Sequence, residues 1–166
     1  MHATASELLG ETLNLLRKYK ELGEGAISQA SDADLFRALD EEGNSIAVIV
    51  KHLHGNMRSR WRDFLTTDGE KPDRDRDSEF EAGQGETRET VEGWWEEGWA
   101  ETFRAIEALR PTDLERTVVI RGEPHSALQA ILGQVAHYSY HVGQIVFLAK
   151  HYRGAAWESL SIPRRR

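Results

Sequence analysis

The sequence predicts an all-α fold, a four-helix bundle that occupies residues 1–166 as a single domain. Three observations carry this expectation. Apolar residues recur at helical spacing in blocks of about 20 residues; one long polar stretch interrupts them near the middle; and 166 residues are the length of one ordinary domain. Residues are 39% hydrophobic and 30% charged, with a mean hydropathy of −0.58. Because the apolar residues are blocked and periodic, that polar average describes a well-charged surface and not disorder. A chain of this size buries about two-thirds of its unfolded surface without needing a staple.

The first long helix starts at Ser6, where Leu8, Leu9, Leu13, Leu15, Leu16, Tyr19 and Leu22 keep helical spacing and Gly23 and Gly25 read as stop signals. Ser31 then caps a short helix that runs to about Leu39. Asn44 caps the second long helix, in which Ile46, Ile49, Val50, Leu53, Met57, Trp61 and Phe64 hold the period for about six turns, to near Thr66. Residues 68–85 form a long loop, with Asp-Gly and Lys-Pro dipeptides, the run Asp73-Arg74-Asp75-Arg76-Asp77, and Phe80 as almost its sole apolar residue. A loop of that length in a small domain is functional or a crossover between distant ends. The third helix opens at Thr87 and buries Val91, Trp94, Trp95, Trp99, Phe103, Ile106 and Leu109 before Pro111 stops it. The β-branched run Arg116–Ile120 and the turn residues Arg121-Gly122-Glu123-Pro124 predict one small hairpin. From Ser126 to about Tyr152 the chain is helical again, along Leu128, Ile131, Leu132, Val135, Tyr138, Val142, Ile145, Val146 and Ala149.

Composition narrows the chemistry. With seven histidines and no cysteine, the chain has no disulfide, thiolate zinc site, Fe–S cluster or cysteine nucleophile, so a metal must be held by nitrogen or oxygen. The 28 acidic against 21 basic residues give a net charge of −7, which argues against nucleic acid and anionic membrane as partners. Arg164, Arg165 and Arg166 form the one basic cluster, read as a solvated tail. The first residues show no basic segment followed by an apolar one, and no apolar run approaches the roughly 20 residues of a membrane span, so a cytoplasmic location is expected.

His137 and His141, one turn apart in His137-Tyr138-Ser139-Tyr140-His141, project from one helix face and can chelate one divalent ion. The spacing alone is equally that of two hydrogen-bonded imidazoles. The glutamate of the zincin pattern H-E-x-x-H is missing, so that class of metalloprotease is excluded. A third ligand comes from a facing helix, and the second helix offers His52 and His54. Periodicity favours His54, about 70° from the centre of the apolar stripe, over His52, about 130° away. His137 and His141 themselves flank their own stripe by about 100–140°, which places the site at the rim of the bundle, where His52 fits as well as His54.

The four-helix pattern, a histidine early in the second helix, and His137-x3-His141-Val142-Gly143-Gln144-Ile145 in the last helix together resemble the DinB-like superfamily of bacterial damage-inducible and thiol-transferase proteins. The segments Val50–Leu53, Gly55-Asn56-Met57-Arg58-Ser59-Arg60-Trp61 and Asp63–Pro72 are similar to a branch of it, and the likeness spans nearly the whole chain. The resemblance implies a metal held by His52, His137 and His141, with His54 as the alternative third ligand. Three imidazoles leave open positions for water or substrate, as catalytic sites do. Without sulfur ligands Zn²⁺ and Ni²⁺ suit the set best, with Fe²⁺ and Mn²⁺ as alternatives. Asn56 and Gln144 are candidates to orient ligands or bound water, or else exposed polar residues on a helix face.

Other features have plainer readings. Trp61, Trp94, Trp95 and Trp99 are core residues, with a substrate wall or dimer face as the alternative. Gly93 and Gly98 each cost a helix about 1 kcal/mol and suggest close approach of another helix. The charge run 73–77 is a solvated loop, or one that closes over the metal mouth or grips the opposite subunit. His2 and His151 face solvent, and His125 sits at a turn or helix start. The expected function is a divalent-metal-dependent enzyme; the resemblance implies a low-molecular-weight thiol transferase or a hydrolase, acting on a small-molecule thiol or electrophile as a homodimer. The alternative is a non-catalytic stress-response or binding module with a structural metal or none.

Overall fold

Every long helix of the protein begins at a hydroxyl side chain. In the computed structural model, which describes residues 4–81 and 83–162, Thr4, Ser45, Thr87 and Ser126 accept from the backbone N–H of Glu7, Val48, Thr90 and Gln129. Those bonds satisfy donors that a helix start would otherwise leave unpaired. They open α1 (Ala5–Gln29), α3 (Ile46–Trp61), α4 (Arg88–Glu107) and α5 (Ala127–Arg153), while Ser31 caps the one-turn α2 (Asp32–Leu35). Strands β1 (Thr117–Ile120) and β2 (Glu123–Ser126) pair antiparallel, with Val118 opposite His125 and Val119 opposite Pro124. The fold is all-α with the small hairpin before the last helix.

The long helices pack as two intimate pairs, α3 along α4 and α1 along α5, and contacts of α3 with α5 and α1 with α4 close the ring. Trp61, Trp99 and Tyr138 are fully buried at its centre, and the Trp61 Nε1–H donates to the Tyr138 hydroxyl at 2.8 Å. Trp95 is buried beside them, so these three tryptophans are core, as expected, while Trp94 is only half-buried and packs against the core from its edge.

Four boundaries differ from the sequence reading. The first helix runs through Gly23 and Gly25 to Gln29, because these glycines mark close packing: a methyl on Gly23 would overlap the Trp95 ring, and one on Gly25 would lie 2.6 Å from Leu160. The helix penalty of glycine is offset by what packs there. The short helix stops at Leu35, not Leu39. The second long helix starts from Ser45, one residue after Asn44, and ends at Trp61, where Asp63 takes a left-handed conformation with φ 51°. Gly98 admits α3, with Met57 Sδ 2.8 Å from where its Cβ would stand; Gly93 faces open space and nothing explains it.

The long loop is pinned at its start. The Asp68 carboxylate accepts the backbone N–H groups of Glu70, Arg121 and Gly122 at 2.8–2.9 Å, and the Gly69 N–H donates to the Val119 carbonyl at 2.8 Å. Ser59 on α3 accepts from the Lys71 N–H at 2.9 Å and donates to the Gly69 carbonyl at 3.1 Å. These bonds lay the loop across α3 and against the hairpin turn, so that a single 3-10 turn at Asp77–Phe80 rests on α3 near His52. Among the described residues no helix is long and apolar enough to cross a membrane. The expected basic tail Arg164–Arg166 and His2 lie outside the described residues.

Candidate metal centre

His52 on α3 and His137 and His141 on α5 meet where the two helix pairs join. One ring nitrogen from each lies within 4.8 Å of the others, a grouping that could hold a metal ion. The Nε2 atoms of His52 and His137 are 3.2 Å apart, and the ring centroids are 5.3, 5.0 and 4.7 Å apart around the triangle.

Neighbours fix which nitrogens face inward. His52 Nδ1 is 2.9 Å from Glu79 Oε2; an ionised carboxylate only accepts, so Nδ1 carries a proton and donates outward, and Nε2 faces the centre. His141 Nδ1 is 2.8 Å from Gln144 Oε1, and the same logic leaves its Nε2 free. Burial pushes His137 down to about 3, helped by the charges of His141 and His52. Burial likewise pushes His141 down to about 4, against the opposing bond from Gln144. Both rings are therefore neutral near pH 7, and three ring nitrogens crowd a small space. That donor set fits a divalent cation, and two of its rings, His52 and His141, already carry the outer hydrogen bonds that metal-bound imidazoles use.

His54, which periodicity alone favours, is not in the cluster. Its Nε2 bonds Glu97 on α4 at 3.1 Å and its ring stacks on Trp94 at 6.2 Å. The stripe count fails because the loop covers a second side of α3: His52, Asn56, Ser59 and Arg60 are buried along with the apolar residues.

Sequence reasoning missed the residue that holds His52. Glu79 bridges His52 to Arg74, whose Nε and Nη2 donate to the two carboxylate oxygens at 2.7 and 2.8 Å. Arg74 also reaches Glu70 at 3.2 Å, and Glu70 takes Arg121 at 3.3 Å. The Arg74 and Glu79 side chains are 4% and 7% exposed. Burial pushes the Glu79 carboxyl up, but the bonds and charges of Arg74 and His52 outweigh it and hold it below the usual range. So Arg74, inside the charge run read as solvated, is buried, and the loop closes on the cluster. Gly55 was the available signal: a methyl there would overlap the Glu79 carboxylate, so a glycine in mid-helix marks where the loop lands.

The cluster opens on a cavity of about 260 Å³ whose wall includes Asn56, Arg76, Phe80, Arg121 and Tyr140. The Phe80 ring lies 4.7 Å from that of His52. Asn56 is 6% exposed, and its Oδ1 has no hydrogen-bond partner among the described residues. His125 sits in β2, and exposed His151 stacks on Phe147.

Fold and cluster define a class: a four-helix bundle with three imidazoles at its rim that could hold a metal ion. The chain belongs to the family described as protein of unknown function DUF1572, which matches residues 3–166. No curated protein and no solved structure matches the chain.

Proposed function

We propose that the protein is a divalent-metal-dependent enzyme of the DinB-like kind, a transferase of low-molecular-weight thiols or a hydrolase, with the ion on His52, His137 and His141. The observation that carries this reading is the convergence of three imidazoles, two with their outer nitrogens already bonded to Glu79 and Gln144, at the mouth of a cavity. Zinc or nickel suits three nitrogens best, with iron or manganese next. A bound ion of this type lowers the pKa of water or a thiol and polarises a carbonyl. The chain's own part is positional. Glu79 and Gln144 hold two rings in one tautomer, Phe80 covers one side of His52, and Asn56 offers an amide to whatever occupies the cavity. Having no cysteine, the chain uses a thiol only as substrate. A second copy of the chain covers the exposed stripe of Leu132, Tyr140 and Phe147 on α5.

Elemental analysis of protein purified without chelator, with His52→Ala, His137→Ala, His141→Ala and His54→Ala beside the wild type, tests the reading. The first three variants are expected to lose the ion and His54→Ala to keep it. Wild type with less than about a tenth of an equivalent, and no uptake on reconstitution, rejects it. Thiol-transfer and ester-hydrolysis rates that survive loss of all three histidines reject the catalytic part.

A further inference from the structure

Arg60, in the last turn of α3, is 5% exposed, yet its Nε and Nη1 have no hydrogen-bond partner among the described residues. Glu70, whose negative charge reaches it, is already engaged by Arg74 and Arg121. A buried guanidinium without a counter-charge strongly destabilises a fold, and native proteins rarely keep one idle.

Beside it lies a cavity of about 360 Å³ between α3, the hairpin turn and the first half of α5. Three further residues of its wall each carry a buried polar atom with no partner among the described residues: Asn56 Oδ1, Gln134 Oε1 and His137 Nδ1. Asn56 and Gln134 are 6% and 9% exposed. Water can satisfy the neutral groups, but it does not balance the arginine's charge. Asn56, Arg121 and His137 line this cavity and the one at the three histidines alike, so the two adjoin.

The chemistry of the lining selects the occupant. A guanidinium offers parallel N–H donors that match a carboxylate, and one buried positive charge balances a monoanion better than a phosphate dianion. The amide oxygens of Asn56 and Gln134 accept, so they call for N–H or O–H groups beside that carboxylate. We propose that this cavity is the acid-binding subsite of the metal centre, with Arg60 receiving the carboxylate of a substrate that also carries amide or hydroxyl donors. Its role toward substrate rests on the metal-dependent reading; the carboxylate site itself needs no ion.

N-acetylglycine, a monoanion with an amide N–H next to its carboxylate, is titrated calorimetrically into metal-free and zinc-loaded protein. Arg60→Met is expected to weaken binding at least 10-fold and to raise the melting temperature of the ligand-free protein, while zinc affinity stays within threefold. Arg60→Lys keeps the charge and Gln134→Leu removes one acceptor; each is expected to weaken binding less than Arg60→Met, and they decide the matter if that variant does not fold. Equal affinity in wild type and the variants, no binding by the wild type, or tighter binding of inorganic phosphate overturns the proposal. Arg60-dependent binding of N-acetylglycine in a protein that takes up no zinc rejects the metal reading and leaves the carboxylate site. Zinc uptake with binding indifferent to Arg60 does the reverse.

Discussion

Replacing Glu79 by alanine tests whether the loop builds the candidate metal centre or merely lies over it. The substitution strips Arg74 of its two-pronged partner and His52 of its Nδ1 acceptor in one step. Both side chains of the ion pair are more than nine-tenths buried, so solvent screening gives little relief. Breaking such a pair from one side costs about 3–5 kcal/mol. Arg74 keeps Glu70 at 3.2 Å, which places the expected loss at the lower end, about 3 kcal/mol, or roughly 6–12 °C in melting temperature for a chain of this length. Freeing His52 from its acceptor is expected to weaken zinc binding about 10–100-fold. Urea unfolding of metal-free protein reads the first quantity, and competition with a chromophoric chelator reads the second. Adding Arg74→Met to Glu79→Ala removes the stranded charge and should recover a large part of the stability but none of the zinc affinity. A stability loss below about 0.5 kcal/mol, the scale of an ordinary surface change, would refute the ion-pair argument, and an unaltered zinc affinity would refute the positioning role.

Three further outcomes follow from the same geometry. Gly55→Ala improves helix propensity by about 1 kcal/mol but pushes against the Glu79 carboxylate, so it is expected to weaken zinc binding in the manner of Glu79→Ala; an affinity equal to wild type in the competition assay contradicts the close approach. Tyr138→Phe takes the acceptor from the buried Trp61 Nε1–H and is expected to cost about 1–3 kcal/mol in urea unfolding, with zinc uptake intact. In metal-free protein His137 and His141, held near 3 and 4 by burial, stay neutral while the unfolded chain takes up protons from about pH 6.5 downward. Stability is thus fully present above about pH 6.5 and falls as the pH drops toward 4; equal urea midpoints at pH 7.5 and 5, or a decline undiminished in His137→Asn, would count against it.

Much of this architecture is legible in the chain because it rests on local rules. Hydroxyl caps at Ser31, Thr87 and Ser126 mark helix starts directly, and the periods of α1, α3, α4 and α5 name most of the core. The pair His137 and His141 is equally plain, being a matter of one helical turn. What is not legible is what covers a helix from outside its own stripe. Periodicity points from α3 to His54 because it registers only the apolar side; His52 is buried by a polar loop, whose Glu79 and Arg74 bury one another as an ion pair and leave no hydrophobic trace. Gly23 and Gly25 mislead for a related reason: a glycine that ends a helix and one that admits a Trp95 ring or Leu160 are the same letter. The tertiary contact decides, and it lies dozens of residues away.

The seam between the helix pairs carries a mechanical consequence. His52 and His137 are 85 residues apart in the chain, and they stand on α3 and α5, one from each intimate pair. An ion shared by them would be a removable cross-link around that whole length of chain. A permanent link of this span takes about 4.5 kcal/mol of freedom from the unfolded state, so an ion held by the three histidines would also set how tightly the two halves are tethered.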